Sequence, residues 1–150
     1  MAWTLLLAAG QGNRLASATG GLAKQFLDWK GAPLYWESAL VFSRCARVEG
    51  LVFVFPEACI DEERERVAGL MRNASLGIPW KVVAGGALRQ DSVRNGLSAL
   101  PDDCMEVLIH DAARPFVSPA LVNRILDGLH GEASGECVAA CIPGIPVVDT

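Results

Sequence analysis

Short apolar runs alternate along this chain with stretches whose apolar residues recur at helical spacing. Residues 3–7 read as a buried strand that runs directly into a glycine loop. Residues 33–45 place Leu34, Ala39, Leu40 and Val41 at helical spacing, with Pro33 suited to a first helical turn. Residues 50–55 form a β-branched and aromatic run closed by Pro56, a second buried strand. Residues 61–72 are charged on one side and carry Val67, Leu70 and Met71 on the other, which predicts a helix. A short strand over 80–83 ends at Gly85-Gly86, and a helix over 91–100 turns Val93, Leu97 and Leu100 inward. Residues 107–109 predict a strand that ends in His110-Asp111. A helix over 119–129 follows, with Leu121, Val122, Ile125, Leu126 and Leu129 inward, and a last strand spans 138–142.

Strands that alternate with helices of this length build βαβ units, so the fold expected is α/β, a mostly parallel twisted sheet flanked by helices. In such sheets ligands gather outside the carboxyl ends of the strands. The three loops with unusual residues, 8–24, 85–92 and 110–115, all follow strands, which points to one shared site. The 150 residues suit one domain. The last residues, Val147-Val148-Asp149-Thr150, follow Pro143 and Pro146 without a stop signal, so the domain is expected to be incomplete.

Charge and composition narrow the partners. A balance of 13 − 17 = −4 offers no basic footprint, so nucleic acid is not expected as a partner. An anionic small ligand then has to be held by locally placed Arg or Lys, backbone amides or a metal. The cysteines Cys45, Cys59, Cys104, Cys137 and Cys141 are odd in number and contain no C-x-x-C. With only two histidines, neither a disulfide framework nor a zinc site is indicated, and reduced thiols suit the cytoplasm. The apolar run near the N-terminus is too short for a signal-peptide core or a membrane span.

In the first loop, Leu7-Ala8-Ala9-Gly10-Gln11-Gly12-Asn13-Arg14-Leu15, the glycines let backbone N–H groups approach phosphate oxygens. A simple tight turn would look the same. A dinucleotide fingerprint would need glycine at position 15, which is Leu15, and no G-K-[ST] is present for a P-loop. Arg14 and then Lys24-Gln25-Phe26-Leu27 bring two cations that could neutralise a triphosphate, although Lys24 alone reads as a solvated loop lysine. Asp111, at a strand's carboxyl end, suits Mg²⁺, which takes one or two carboxylates plus phosphate oxygens. Arg114 could hold a second phosphate, or pair with Asp111 to cap the loop. His110 reads as a hydrogen-bonded packing residue, and Asp91 or Ser92 as a helix cap.

Taken together and in this order, these segments resemble the 2-C-methyl-D-erythritol 4-phosphate cytidylyltransferases. The resemblance runs through residues 7–15, 24–27, 85–97, 110–116 and 146–150. It implies a Rossmann-like nucleotidyltransferase fold and transfer of CMP from CTP to 2-C-methyl-D-erythritol 4-phosphate, with Mg²⁺, in non-mevalonate isoprenoid biosynthesis. It further implies that Arg14 and Lys24 are catalytic and stabilise the pentacoordinate α-phosphorus. Ala8, Ala9, Gly10, Gly12, Gly86, Arg89 and Ser92 would bind nucleotide; Asp111, Arg114 and Thr150 would bind the polyol phosphate, and Asp111 also the metal. Thr150 matches a threonine that reaches across the family's dimer interface, so a homodimer is expected of the full-length form. This chain has Ala23 where the family usually has proline, and Ala87 where relatives are often polar. Ribitol 5-phosphate cytidylyltransferases share a similar first loop, but tend to valine at the Ala113 position and lack the Asp91-Ser92-Val93 run. A CTP-binding module without turnover is the reading from a different class.

Overall fold

The computed structural model describes residues 1–10, 22–131 and 138–144. They divide into two compact units, Met1–Phe116 and Val117–Thr150. Gly12, Arg14 and Thr150, together with Cys137, lie outside the described residues.

The first unit is built on four parallel strands. These are β1 (Ala2–Leu7), β4 (Val48–Phe55), β5 (Trp80–Ala84) and β6 (Glu106–Asp111), in the spatial order β5-β4-β1-β6. A small antiparallel ribbon, β2 (Asp28–Trp29) and β3 (Ala32–Pro33), lies outside that sheet. Three helices follow in the chain: α1 (Tyr35–Ser43), α2 (Ile60–Asn73) and α3 (Arg89–Leu97). β1 and β4 are apolar almost without interruption because central parallel strands are covered on both faces.

Alternation along the strands assigns the two faces. Trp3, Leu5, Val52 and Val54 form the core of one, joined by Leu7, Val83 and Val107. α3 covers this face with Gly96, where an added β-carbon would press to 3.0 Å from Leu5 Cδ1 and 3.3 Å from Val54 Cγ2. The inward residues of α3 are therefore Ser92 and Gly96, while Leu97, expected inward, is exposed. A glycine lets the helix backbone come down onto the sheet, and this shifts the buried stripe off the larger apolar residues. The opposite face carries Phe53 and Phe55, packed edge-on to Tyr35 of α1 at ring-centroid distances of 6.1 and 5.1 Å. α1 buries Tyr35, Ala39 and Phe42, one turn apart along a single stripe, so Leu40 and Val41 are left half-buried.

Two departures from the sequence expectation lie outside the site loops. Pro33 lies in β3, paired with Asp28, and α1 begins two residues later. Lys30 and Gly31 take φ of 56° and 83°, so the ribbon closes through two left-handed residues, the pattern of a tight hairpin turn. The second difference is in the other unit. There α4 (Pro119–Leu129) matches its predicted span, with Pro119 in its first turn and Ser118 Oγ accepting from the Leu121 N–H at 3.2 Å. The strand expected over 138–142 is absent: these residues form no ladder, and Val138 and Ile142 are exposed. The Val138 N–H instead donates to the Leu129 carbonyl at the end of α4. A strand exists only with a partner, and an apolar run does not supply one.

α2 meets α1 through a buried ionisable pair. The Tyr35 hydroxyl donates to Glu63 Oε2 at 2.7 Å, and Arg66 sits 2.9 Å from Glu63 Oε1. Burial pushes the Glu63 carboxyl above its ordinary value, with Tyr35 and Arg66 pulling it back in part. The folded chain thus holds this proton more tightly than the unfolded chain. Stability from this group is full below pH 4.5 and is lost as pH rises through the folded value. A Glu63→Gln variant lacks that slope and keeps an acceptor for Tyr35. The wild type's melting temperature relative to Glu63→Gln is expected to fall steadily as pH is raised from 4.5 towards neutrality. A relative rise over that range contradicts the assignment.

Candidate functional site

The carboxyl ends of β1, β5 and β6 bring the three unusual loops together. β1 and β6 run in register, so Leu7 is opposite Asp111, and the Ala112 N–H donates to the Leu7 carbonyl at 3.0 Å. On the other side of β1 the Ala8 N–H donates to the Val54 carbonyl at 2.8 Å. The Gly85 N–H donates to the Phe55 carbonyl, also at 2.8 Å. Each loop is therefore stitched to the strand beside it before it leaves the sheet. Ala8 is buried, Ala9 half-buried and Gly10 exposed, so the first loop emerges from the core within three residues.

Glycine at position 85 is a spatial requirement. An added β-carbon would overlap the Ala9 β-carbon and lie 2.8 Å from Ser92 Oγ. The first and second loops can touch only because this side chain is missing. At Gly86 an added β-carbon would overlap that of Asp91, which keeps the Gly86 backbone close to the start of α3. Ser92 Oγ accepts from the Gly86 N–H at 3.1 Å, and Asp91 Oδ2 accepts from the Leu88 N–H at 3.1 Å. Asp91 thus caps α3 from its third residue, and Ser92 ties the loop down from inside the helix. α3 accordingly starts at Arg89, two residues before the expected start.

The third loop is organised around Asp111. Arg89 reaches across from α3 and donates through Nε and Nη2 to Asp111 Oδ1 at 3.1 and 3.0 Å. Arg114 Nε lies 3.6 Å from Oδ2. One carboxylate therefore faces two guanidinium groups, and all three side chains remain accessible to solvent. His110 braces the loop from behind. Its Nε2 is 3.0 Å from the Arg114 carbonyl and 3.1 Å from Ser38 Oγ, and its ring packs edge-on to Phe42. A carbonyl only accepts, so the proton sits on Nε2. Burial pushes the imidazole below its ordinary value, which keeps it neutral. That is the packing role expected for His110.

Lys24 opens a short turn, Lys24–Phe26, and is itself exposed. The next residue was not singled out as a site residue from sequence. Gln25 is 4% exposed, and its Nε2 donates to the carbonyls of Ala8 and Gly10, both at 2.7 Å. Phe26 then packs against Tyr35 and Phe55. Of the predicted site residues, the structure brings Ala8, Ala9, Gly10, Gly86, Ser92, Arg89, Asp111 and Arg114 to one end of the sheet, with the Lys24 turn joined to the first loop through Gln25.

A divalent cation would have Asp111 as its hard oxygen donor, with Oδ2 the less engaged atom because the Arg114 contact is long. Among the described residues no three His, Cys, Asp or Glu side chains converge. That donor set fits a cation carried in by phosphate oxygens, which needs one or two protein carboxylates.

A parallel sheet with helices on both faces and a glycine loop at the end of its first strand places the chain among the Rossmann-like α/β proteins. The chain belongs to the 2-C-methyl-D-erythritol 4-phosphate cytidylyltransferase family, whose profile matches residues 2–150. It is 55% identical over 148 residues to a protein of Nitratidesulfovibrio vulgaris named bifunctional enzyme IspD/IspF, covering 99% of this chain and 36% of that protein. The chain thus spans about a third of that relative's length. Among solved structures, it resembles 4-diphosphocytidyl-2C-methyl-D-erythritol synthase from Anaerococcus prevotii, with a TM-score of 0.68 and 21% identity, over 87% of this chain and 51% of that one. A Mycobacterium tuberculosis protein crystallised with manganese has a TM-score of 0.53 and 22% identity, over 84% of this chain and 57% of that one. These likenesses establish the Rossmann-like fold.

Proposed function

We propose that this chain carries the site that transfers CMP from CTP to 2-C-methyl-D-erythritol 4-phosphate. The products are 4-diphosphocytidyl-2-C-methyl-D-erythritol and pyrophosphate. The supporting observation is that Ala8–Gly10, the Gly85-Gly86 loop held by Ser92, and Asp111 between two arginines come together at one end of the sheet. A phosphate oxygen of the polyol attacks the α-phosphorus in line, and the bond from that phosphorus to the bridging oxygen of the leaving pyrophosphate breaks. An ionised phosphate needs no base, so positioning and charge neutralisation supply the catalysis. This agrees with a neutral His110 whose Nε2 is taken up by the Arg114 carbonyl and Ser38.

Lys24 and Arg14 are assigned to the charge that develops on the α-phosphorus and the leaving group. Ala8, Ala9, Gly10, Gly12, Gly86, Arg89 and Ser92 are assigned to the nucleotide, while Asp111, Arg114 and Thr150 are assigned to the polyol phosphate. Mg²⁺, held on Asp111, would supply neutralisation of the triphosphate. The working form is assigned as a homodimer in the cytoplasm. Among the described residues Cys59, Cys104 and Cys141 are free thiols, which supports a reducing compartment. Among the described residues no helix is long and apolar enough to cross a membrane.

The test is pyrophosphate release with CTP and methylerythritol phosphate, with and without EDTA, beside CTP with ribitol 5-phosphate. Release with the first pair, abolished by EDTA, supports the reading. Binding of CTP without turnover reduces the chain to a nucleotide-binding module, and preference for ribitol 5-phosphate replaces the acceptor. Sedimentation velocity tests the dimer.

A further inference from the structure

We infer that Gln25 is a positioning residue that sets the Ala8–Gly10 backbone, where the triphosphate loop begins, and holds the Lys24 turn in register with it. The inference rests on the functional reading above, because that reading makes the first loop a triphosphate site. Its own support is geometric. Gln25 is 4% exposed, a degree of burial that a primary amide tolerates only when its polar atoms are paired. Both of its mapped bonds run from one nitrogen to two carbonyls of the same loop, Ala8 and Gly10, at 2.7 Å each. An amide nitrogen has two hydrogens, so the pair uses its full donor capacity.

The consequence for the loop follows from peptide geometry. In a trans peptide the N–H lies on the opposite edge from the C=O. Holding the Ala8 carbonyl towards Gln25 therefore turns the Ala9 N–H the other way. The described backbone contains no cis bond, so this relation holds here. Without the two donors, the carbonyls of Ala8 and Gly10 would be free to rotate towards an incoming phosphate, where their negative ends would repel it. The amide thus removes the wrong backbone orientation before a ligand arrives.

The same side chain couples this loop to Lys24. The turn Lys24–Phe26 has two anchors: Gln25 in the glycine loop and Phe26 between Tyr35 and Phe55. Phe26 fixes the turn to the core, and Gln25 fixes it to the ligand side. The backbone of Lys24 is therefore referenced to the loop that presents the triphosphate, which is what an ammonium acting at the α-phosphorus requires.

Two variants of the chain separate positioning from general support. Gln25→Leu removes both donors at similar size. Gln25→Glu keeps the shape but sets a carboxylate against two carbonyls, and protonation of that carboxyl restores one donor. Both should retain a cooperative melt, because Phe26 still anchors the turn. CTP affinity, measured calorimetrically, should fall roughly tenfold to a hundredfold in Gln25→Leu, the usual consequence of leaving buried acceptors unpaired. The ratio of Gln25→Glu to wild-type affinity should climb as pH is lowered from about 8 to about 5.5, where a buried carboxyl takes up its proton. The same ratio for Gln25→Leu should stay flat. Wild-type binding of CTP with Gln25→Leu within twofold of it, or a flat Gln25→Glu ratio, overturns the inference alone. A wild-type chain that binds no CTP overturns the functional reading and this inference with it.

Discussion

Lys24→Ala is expected to lower the rate of CMP transfer by about 10²–10³-fold, while CTP affinity falls by less than about tenfold. The asymmetry follows from where the charge changes. On the proposed reading the ground-state triphosphate charge would be shared among loop amides, Arg14 and a metal, so loss of one exposed ammonium would be buffered. In the transition state, charge accumulates around the α-phosphorus and on the departing pyrophosphate, and a group placed there acts differentially. The scaffold of the variant should remain intact, because Lys24 is exposed and the turn is held by Gln25 and Phe26. Single-turnover rates at saturating CTP, together with calorimetric Kd values, separate the two effects. A rise in KM with an unchanged rate would make Lys24 a ground-state binding residue and remove it from the catalytic set.

The path from sequence to this site was open where a local pattern carries the information. Residues 3–7 and 50–55 are apolar on both faces, and central parallel strands have to be. α4 was readable to the residue because the spacing of Leu121, Val122, Ile125, Leu126 and Leu129 is helical from Pro119 onward. The site loops were legible for a similar reason: each is a cluster of glycine, acid or cation placed directly after an apolar strand.

What escaped depends on contacts between distant residues. Gln25 reads as an ordinary loop glutamine until the fold closes it onto Ala8 and Gly10, 17 and 15 residues earlier. Gly96 reads as a weak helix position, yet its missing side chain admits Leu5 and Val54. The β2–β3 ribbon has two residues per strand and a lysine at φ 56°, too little for any periodic signal. The strand expected over 138–142 fails in the opposite direction: its residues have strand character, but pairing is decided elsewhere in the chain. Asp111 was legible as a residue of interest and Arg114 as one partner for it, whereas Arg89 was not legible as the second, since it is 22 residues away.

That arrangement makes Asp111→Asn the most informative substitution on the acceptor side. Two roles compete for the carboxylate: holding the polyol and metal, or simply holding Arg89 and Arg114. Exposed ion pairs contribute only about 0–1 kcal/mol, so a purely structural role predicts a small drop in melting temperature and near-normal turnover. Both arginines are well exposed, at 63% and 81%, which places these pairs in that class. A carboxylate that accepts from substrate hydroxyls or a phosphate-borne cation has a larger role. Losing its charge should cost about 1.5–3 kcal/mol of transition-state binding, roughly a tenfold to 150-fold fall in kcat/KM for the polyol phosphate. CTP affinity should change little, and the Mg²⁺ concentration for half-maximal rate should rise. Arg89→Ala supplies the control, because it frees Oδ1 while leaving the carboxylate in place. If Arg89 acts only by aiming Asp111, the double variant should be no worse than Asp111→Asn alone. Additive losses would instead mean that Arg89 meets the ligand independently, and the carboxylate would then be one member of a charged rim and not its organising centre.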